Sequence, residues 1–321
     1  MLRPTLASAL VLGVGLALAG CGSTTAPHKV SGTADVAYAG SLELAMERDV
    51  GPAFTRLTGY QYLGRGAGAL GLAQEIRSRE ITPNVFLSVG SGPVAVLEPK
   101  FTRWAVEFAS SPLVLAYYPH GPHARELAEI ASGQLPLTDL FSLLAQPGFR
   151  LGRTDPATDP QGQDFAMMFQ LAGLDYGVPA ATLTADLGGG SAQIYPETAL
   201  ESQLQAGQLD AASAFRSQAE QLHLPYVPLP SALNFGDPAN AAKYSRASLR
   251  ISATQVVHGF PLVLEATVIG RHDRAAAVSM IEYLLSPRGQ SILARDGYSP
   301  VPLRILGDRG AAPSQIRKLA G

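Results

Sequence analysis

Three segments, Asp35-Val-Ala-Tyr-Ala-Gly-Ser41, Leu63-Gly-Arg-Gly-Ala-Gly-Ala-Leu-Gly71 and Val85-Phe-Leu-Ser-Val-Gly-Ser-Gly92, decide how this chain folds. The first and third set a short apolar run directly before a turn of Gly, Ala and Ser, and the second follows a short strand expected near Tyr60–Leu63. After the first turn, Leu42, Ala45, Met46, Val50, Phe54 and Leu57 recur at the spacing of one helical face. After the second, Leu70 to Arg77 does the same. Strand, turn, helix and strand in this order predict an α/β fold with a mostly parallel sheet.

The alternation continues outward. Leu113–Tyr118 reads as a buried strand ended by Pro119, and helices are expected over about His123–Ala131 and Thr138–Gln146. A strand around Arg150–Arg153 precedes a loop and a helix over Asp164–Leu174. A loop over Asp186–Ile194, with Gly188-Gly189-Gly190, leads to a helix over Glu197–Ala206. A strongly apolar strand returns at Pro261–Ile269, followed by a helix over Arg274–Leu285 that Ser286-Pro287 stops. The pattern reads as two α/β lobes and holds no internal repeat; that the second interrupts the first, with crossings near 113–119 and 255–263, rests partly on a resemblance described below.

The turns carry the functional signal. Gly40-Ser41, Gly66-Ala67-Gly68-Ala69 and Gly90-Ser91-Gly92 lie beyond the carboxyl ends of predicted strands, where open α/β sheets bind ligands. Small residues there expose backbone N–H groups, and a following helix N-terminus adds partial positive charge, so an anion can be held without a cation. Ordinary tight turns are the alternative for each. Gly66 to Gly71 also matches G-x-G-x-x-G, but no acid closes the following strand, which reads Phe86-Leu87-Ser88, so a dinucleotide is not indicated. Thr154 to Gly162 joins a strand to a helix, and its Thr and Asp residues are first of all helix caps. No HExxH, CxxC, P-loop or nucleophile-elbow motif is present, and His28, His120, His123, His223, His258 and His272 lack metal-ligand spacing. His120 and His123 are expected in solvent and Trp104 in the core. The lack of a catalytic constellation favours a binder over an enzyme.

The N-terminus points to export. Arg3 precedes an apolar run from about Leu6 to Leu18, which ends in Leu18-Ala19-Gly20-Cys21. At roughly 13 residues the run is short for a membrane span, which needs about 20. Cys21 is the single cysteine, so no internal disulfide can form. Gly22 to Gly32 reads as a flexible tether. Removing residues 1–20, which hold Arg3 and no acid, leaves 23 of the 24 basic residues against all 26 acidic ones, a formal charge near −3. With no basic cluster, nucleic acid is not expected as a partner.

Several of these features together resemble one family. The Leu-Ala-Gly-Cys21 ending looks like a bacterial lipobox, with Cys21 as the lipidated residue. Gly40-Ser41, the Gly-Ala-Gly turn, Trp104-Ala-Val-Glu-Phe followed by Leu-Val-Leu-Ala-Tyr, Asp159-Pro160-x-Gly162, Ala206-Gly-Gln-Leu-Asp210 and Glu282-Tyr-Leu-Leu-Ser-Pro-x-Gly-Gln290 resemble the archaeal-type molybdate/tungstate-binding proteins of ABC importers, from about residue 35 to 303. The resemblance implies a two-lobed type II periplasmic-binding-protein fold with a discontinuous first lobe. It divides the chain into a signal peptide (1–20), a lipidated tether (21–32), lobe 1 (33–115 plus 259–321) and lobe 2 (116–258).

The same resemblance implies an extracytoplasmic, lipid-anchored monomer that delivers molybdate or tungstate to a membrane permease and uses no cofactor. The oxyanion contacts it implies are Gly40, Ser41 and Ala69 in the first lobe, and Asp159, Pro160, Gln161, Glu197 and Phe215 in the second. Asp159 and Glu197 would reach the molybdenum or tungsten itself. Ala69 and Phe215 stand where the family has a serine and a tyrosine, so two hydroxyl donors are missing. The same fold holding sulfate, phosphate or a small organic anion is the alternative, with an exported enzyme or a sensor-associated lipoprotein further off.

Overall fold

The computed structural model describes residues 31–179 and 193–321, so Cys21, its flanking signal and Gly188–Gly190 lie outside the described residues. Strands β1 (Thr33–Ala39), β2 (Gln61–Ala67), β3 (Val85–Val89) and β4 (Trp104–Ser110) open the chain. Strands β5 (Leu113–Tyr117), β6 (Leu151–Arg153), β7 (Gln193–Ile194), β8 (Ala211–Phe215) and β9 (Tyr226–Pro228) follow. A ribbon of β10 (Ser248–Arg250) and β11 (Val256–His258) precedes β12 (Val263–Val268) and β13 (Arg304–Gly307).

Two main sheets result. The first has the order β13-β4-β12-β3-β1-β2 and the second β7-β6-β8-β5-β9. The molecule is thus α/β and two-lobed, and the first sheet is discontinuous in sequence. The chain leaves it after Ser110, enters the second sheet at Leu113 and rejoins the first at Val263. Leu113–Leu115, counted with the first lobe in the sequence, pair with β8 in the second sheet.

Composition explains strand placement. β3 and β12 are buried at every position, as central strands covered on both faces must be, whereas edge strand β2 alternates exposed and half-buried residues. The first sheet is mixed rather than mostly parallel. β1 pairs in parallel with β2 and β3 through helical crossovers. β12 and β13 arrive from the returning chain and pair antiparallel with β3 and β4. Trp104 is buried, as expected, whereas His123 is half-buried with its ring 4.9 Å from Phe149 rather than free in solvent.

The helices start where their caps dictate. The helix expected from Asp164 begins four residues earlier and spans Pro160–Tyr176. Asp159 caps it by accepting from the Gln161 N–H at 2.8 Å, and Pro160 fills the first position, where no N–H is needed. Among the described residues no helix is long and apolar enough to cross a membrane.

The lobes meet face to face. The Gly71 N–H of the first donates to the Thr158 carbonyl of the second at 3.1 Å. Arg216 donates from the second lobe to Ser299 Oγ of the first at 2.8 Å.

Candidate functional site

Five helical N-termini converge between the lobes. Gly40 and Ser41 open a helical stretch with the turn Gly40–Leu42, and Ala69 is the first residue of the helix Ala69–Ser78. Across the cleft, Asp159 caps Pro160–Tyr176, Glu197 opens Glu197–Gln205 and Phe215 precedes Arg216–Gln221. Each end contributes backbone N–H groups and partial positive charge, which favour negative groups between them.

Contact across this cleft is close. A β-carbon built on Gly40 would meet the Glu197 carboxylate, and one on Gly68 would lie 2.8 Å from the Thr158 carbonyl and 3.3 Å from Asp159 Oδ2. Only glycine permits these approaches. Ser41 is held by Tyr298, whose hydroxyl donates to the Ser41 carbonyl at 2.5 Å, while the buried Ser41 Oγ has no partner among the described residues. Beside it a cavity of about 230 Å³, lined in part by Gly40, Ser41, Glu43, Glu201 and Gln218, opens toward solvent.

Asp159 and Glu197 are buried, and each carboxyl group influences the protonation of the other. Burial pushes Asp159 up to about 7, opposed by the Gln161 N–H and Glu197. Burial also drives Glu197 well above its usual range, reinforced by the charges of Asp159 and Glu201 and opposed by the Gln218 amide and the Ser41 N–H. Burial lifts Glu201 to about 8, and Glu43 and Asp159 add to the rise. Arg48 lines the same cavity as Glu43 and Glu201, whereas Arg150 and Arg153 bond to Asp210, Gly207 and Thr154. Burial makes the ionised form of both acids costly, and a partner that takes up their negative charge or binds their oxygens would offset that cost.

Gly40, Ser41, Asp159, Pro160, Gln161, Glu197 and Phe215 are thus brought to one cleft, with Ala69 at the helix end beside Asp159. Phe215 contributes through its backbone, since its N–H donates to Gln218 Oε1 at 2.8 Å. The third Gly turn lies apart: Gly90-Ser91-Gly92 lines an adjacent cleft with Pro160, Asp164 and Phe260. Residues that pattern reading passed over are Ser213, Gln218, Glu201 and Tyr298. Gln218 carries one local signal, its position three residues beyond Phe215 at a helix start, where a Gln side chain reaches back to the backbone.

Fold and cleft define a two-lobed binding protein. The chain belongs to the family of bacterial extracellular solute-binding proteins, whose model matches residues 34–299. It is 34% identical over 257 residues, 80% of this chain and 78% of the relative, to a Haloferax volcanii protein with the provisional name ABC transporter molybdenum-binding protein. It is 27% identical over 219 residues, 61% of this chain and 62% of the relative, to the molybdate/tungstate-binding protein of Pyrococcus abyssi. The fold is similar to that of the periplasmic molybdate-binding protein of Azotobacter vinelandii, with a TM-score of 0.57, 18% identity, and 83% of this chain and 98% of that one covered. A sulfate-binding protein of Mycobacterium tuberculosis gives a TM-score of 0.55 at 12% identity, covering 91% of each chain. Architecture is therefore shared across proteins named for different anions.

Proposed function

We propose that this chain captures molybdate or tungstate outside the cytoplasm and delivers it to the permease of an ABC importer. The observation that carries the reading is the buried pair Asp159 and Glu197, set among converging helix N-termini. Two carboxylates repel a dianion by at least about 1 kcal/mol even in water. Sulfur and phosphorus keep four oxygens and offer nothing in return. Molybdenum and tungsten accept two further oxygens, so the same two carboxylates become ligands. The names of the two archaeal relatives support this choice.

In this reading Gly40, Ser41 and Ala69 present N–H groups from the first lobe, and Pro160, Gln161 and Phe215 complete the second-lobe wall. The lobes, with the second beginning near Leu113 rather than after residue 115, close on the ligand because it makes better contacts in the closed form. Cys21 carries the lipid that tethers the protein to the membrane. Metal enters as cargo, and no cofactor takes part.

Thermal unfolding tests the reading. A ligand that binds only the native state adds about 2.7 kcal/mol at 100 times its dissociation constant, so millimolar molybdate or tungstate should raise the melting temperature. If neither does so while sulfate, an organic anion or a sugar does, the assignment is wrong.

A further inference from the structure

The side chain of Gln218 has only one orientation that its neighbours allow. The Phe215 N–H, which can only donate, points at Gln218 Oε1 at 2.8 Å. The amide nitrogen is thereby turned to Glu197, where Nε2 donates to Oε1 at 3.1 Å. Gln161 is oriented by the two acceptors beside its amide nitrogen. The Ser213 hydroxyl donates to Gln161 Oε1 at 2.7 Å, and Gln161 Nε2 reaches Glu197 Oε1 at 3.4 Å and Gln218 Oε1 at 3.3 Å. All four side chains are buried. Two amides thus converge on one oxygen of Glu197, while its other oxygen, Oε2, faces Gly40 across the cleft.

We propose that Gln218 is a positioning and specificity-determining residue, which pins Glu197 Oε1 and so presents Oε2 to the metal centre of the bound oxyanion. This inference rests on the molybdate/tungstate reading above. It gives position 215 a role despite the missing hydroxyl: the Phe215 backbone N–H acts on the ligand through Gln218. It also separates the anions. Sulfate takes no fifth oxygen, so the aim of Glu197 matters to tungstate and not to sulfate.

The test compares the wild-type chain with Gln218→Met and Gln218→Glu by titration calorimetry with sodium tungstate and by tungsten L3-edge absorption. Gln218→Met keeps the length and loses the amide. Gln218→Glu keeps the volume and the acceptor for the Phe215 N–H but cannot donate to ionised Glu197. Both variants should lose about 10- to 100-fold in tungstate affinity, the usual effect of removing a partner that orients a metal ligand. Both should also show fewer oxygens around tungsten than the wild type. If Gln218→Glu retains wild-type affinity and coordination, Gln218 merely supports the fold and the inference is overturned. Should Gln218→Met not fold, Ser213→Ala, which frees Gln161, is expected to lower the affinity and the coordination number in the same direction; unchanged values overturn the inference. A wild-type chain that binds neither tungstate nor molybdate overturns the functional reading as well, whereas equal binding by wild type and variants overturns this inference alone.

Discussion

A β-carbon placed on Gly40 would stand 2.7 Å from Glu197 Oε2 and 3.1 Å from Glu197 Cβ and Cδ, so the two lobes touch at the point where a ligand carboxylate is expected. On the proposed function, closure and ligation would use the same few atoms. Gly40→Ala should leave each lobe folded, because opening the cleft relieves the clash. It should weaken tungstate binding by about tenfold or more, since only about 1.4 kcal/mol against the closed state suffices for that. Calorimetry on the variant checks it, and unchanged affinity would mean that the closed state does not need this contact.

Asp159 caps one helix and Glu197 opens another, and substitution tests whether either is also a metal ligand. As ligands, Asp159→Ala and Glu197→Ala should each weaken tungstate by more than the roughly 100-fold expected for loss of an orienting partner. Sulfate binding should stay the same or improve slightly as a repelling charge is removed. If neither is a ligand, Asp159→Ala should lower stability by about 1 kcal/mol through the lost cap, and both changes should affect all anions alike. Titration of both variants with both anions decides, and equal losses would remove the two carboxylates from the site.

Stability should depend on pH in a direction that burial sets. Asp159 is pushed up to about 7 and Glu201 to about 8, both chiefly by burial. A carboxyl with a raised folded pKa holds its proton better in the folded state, so its contribution is fully present below the unfolded value of about 4. That contribution is lost as pH rises through the folded value. Ligand-free protein should therefore melt at progressively lower temperature from about pH 4 to pH 8, and Asp159→Asn should make the fall shallower. Melting curves across this range test the idea, which parallel curves for the two proteins would contradict.

Anchoring is expected to depend on one atom, the sulfur of Cys21. Cys21→Ser should move the protein from the membrane fraction to the soluble one, because a run of roughly 13 apolar residues is short for a span of about 20. Fractionation of expressing cells reads this directly. Retention of the variant on the membrane would remove lipidation from the account.

Local order was legible where packing and propensity agree. Val85–Val89 is apolar without alternation because the strand is buried on both faces, and Arg274–Leu285 carries helical spacing up to a Ser-Pro stop. Asp159 was legible as a cap, but the helix start at Pro160 was not, because apolar periodicity begins only later in that helix. The Gly turns could be located, yet nothing local distinguishes Gly40, which meets Glu197, from Gly92, which would meet nothing within 4 Å.

By itself the sequence determined the α/β alternation and the positions of the acids and glycines, because each follows from period, composition and turn chemistry within a short window. Tertiary structure alone decided that the returning strands β12 and β13 run antiparallel and that Tyr298 holds Ser41 from 257 residues away. It also decided that Asp159 and Glu197 share one buried cleft while Gln161 and Gln218 turn their amides onto the same oxygen. Those relations depend on distances between segments far apart in the chain, and burial, which raises the carboxyl pKa values and gives the amides their hold, exists only once the lobes have packed together.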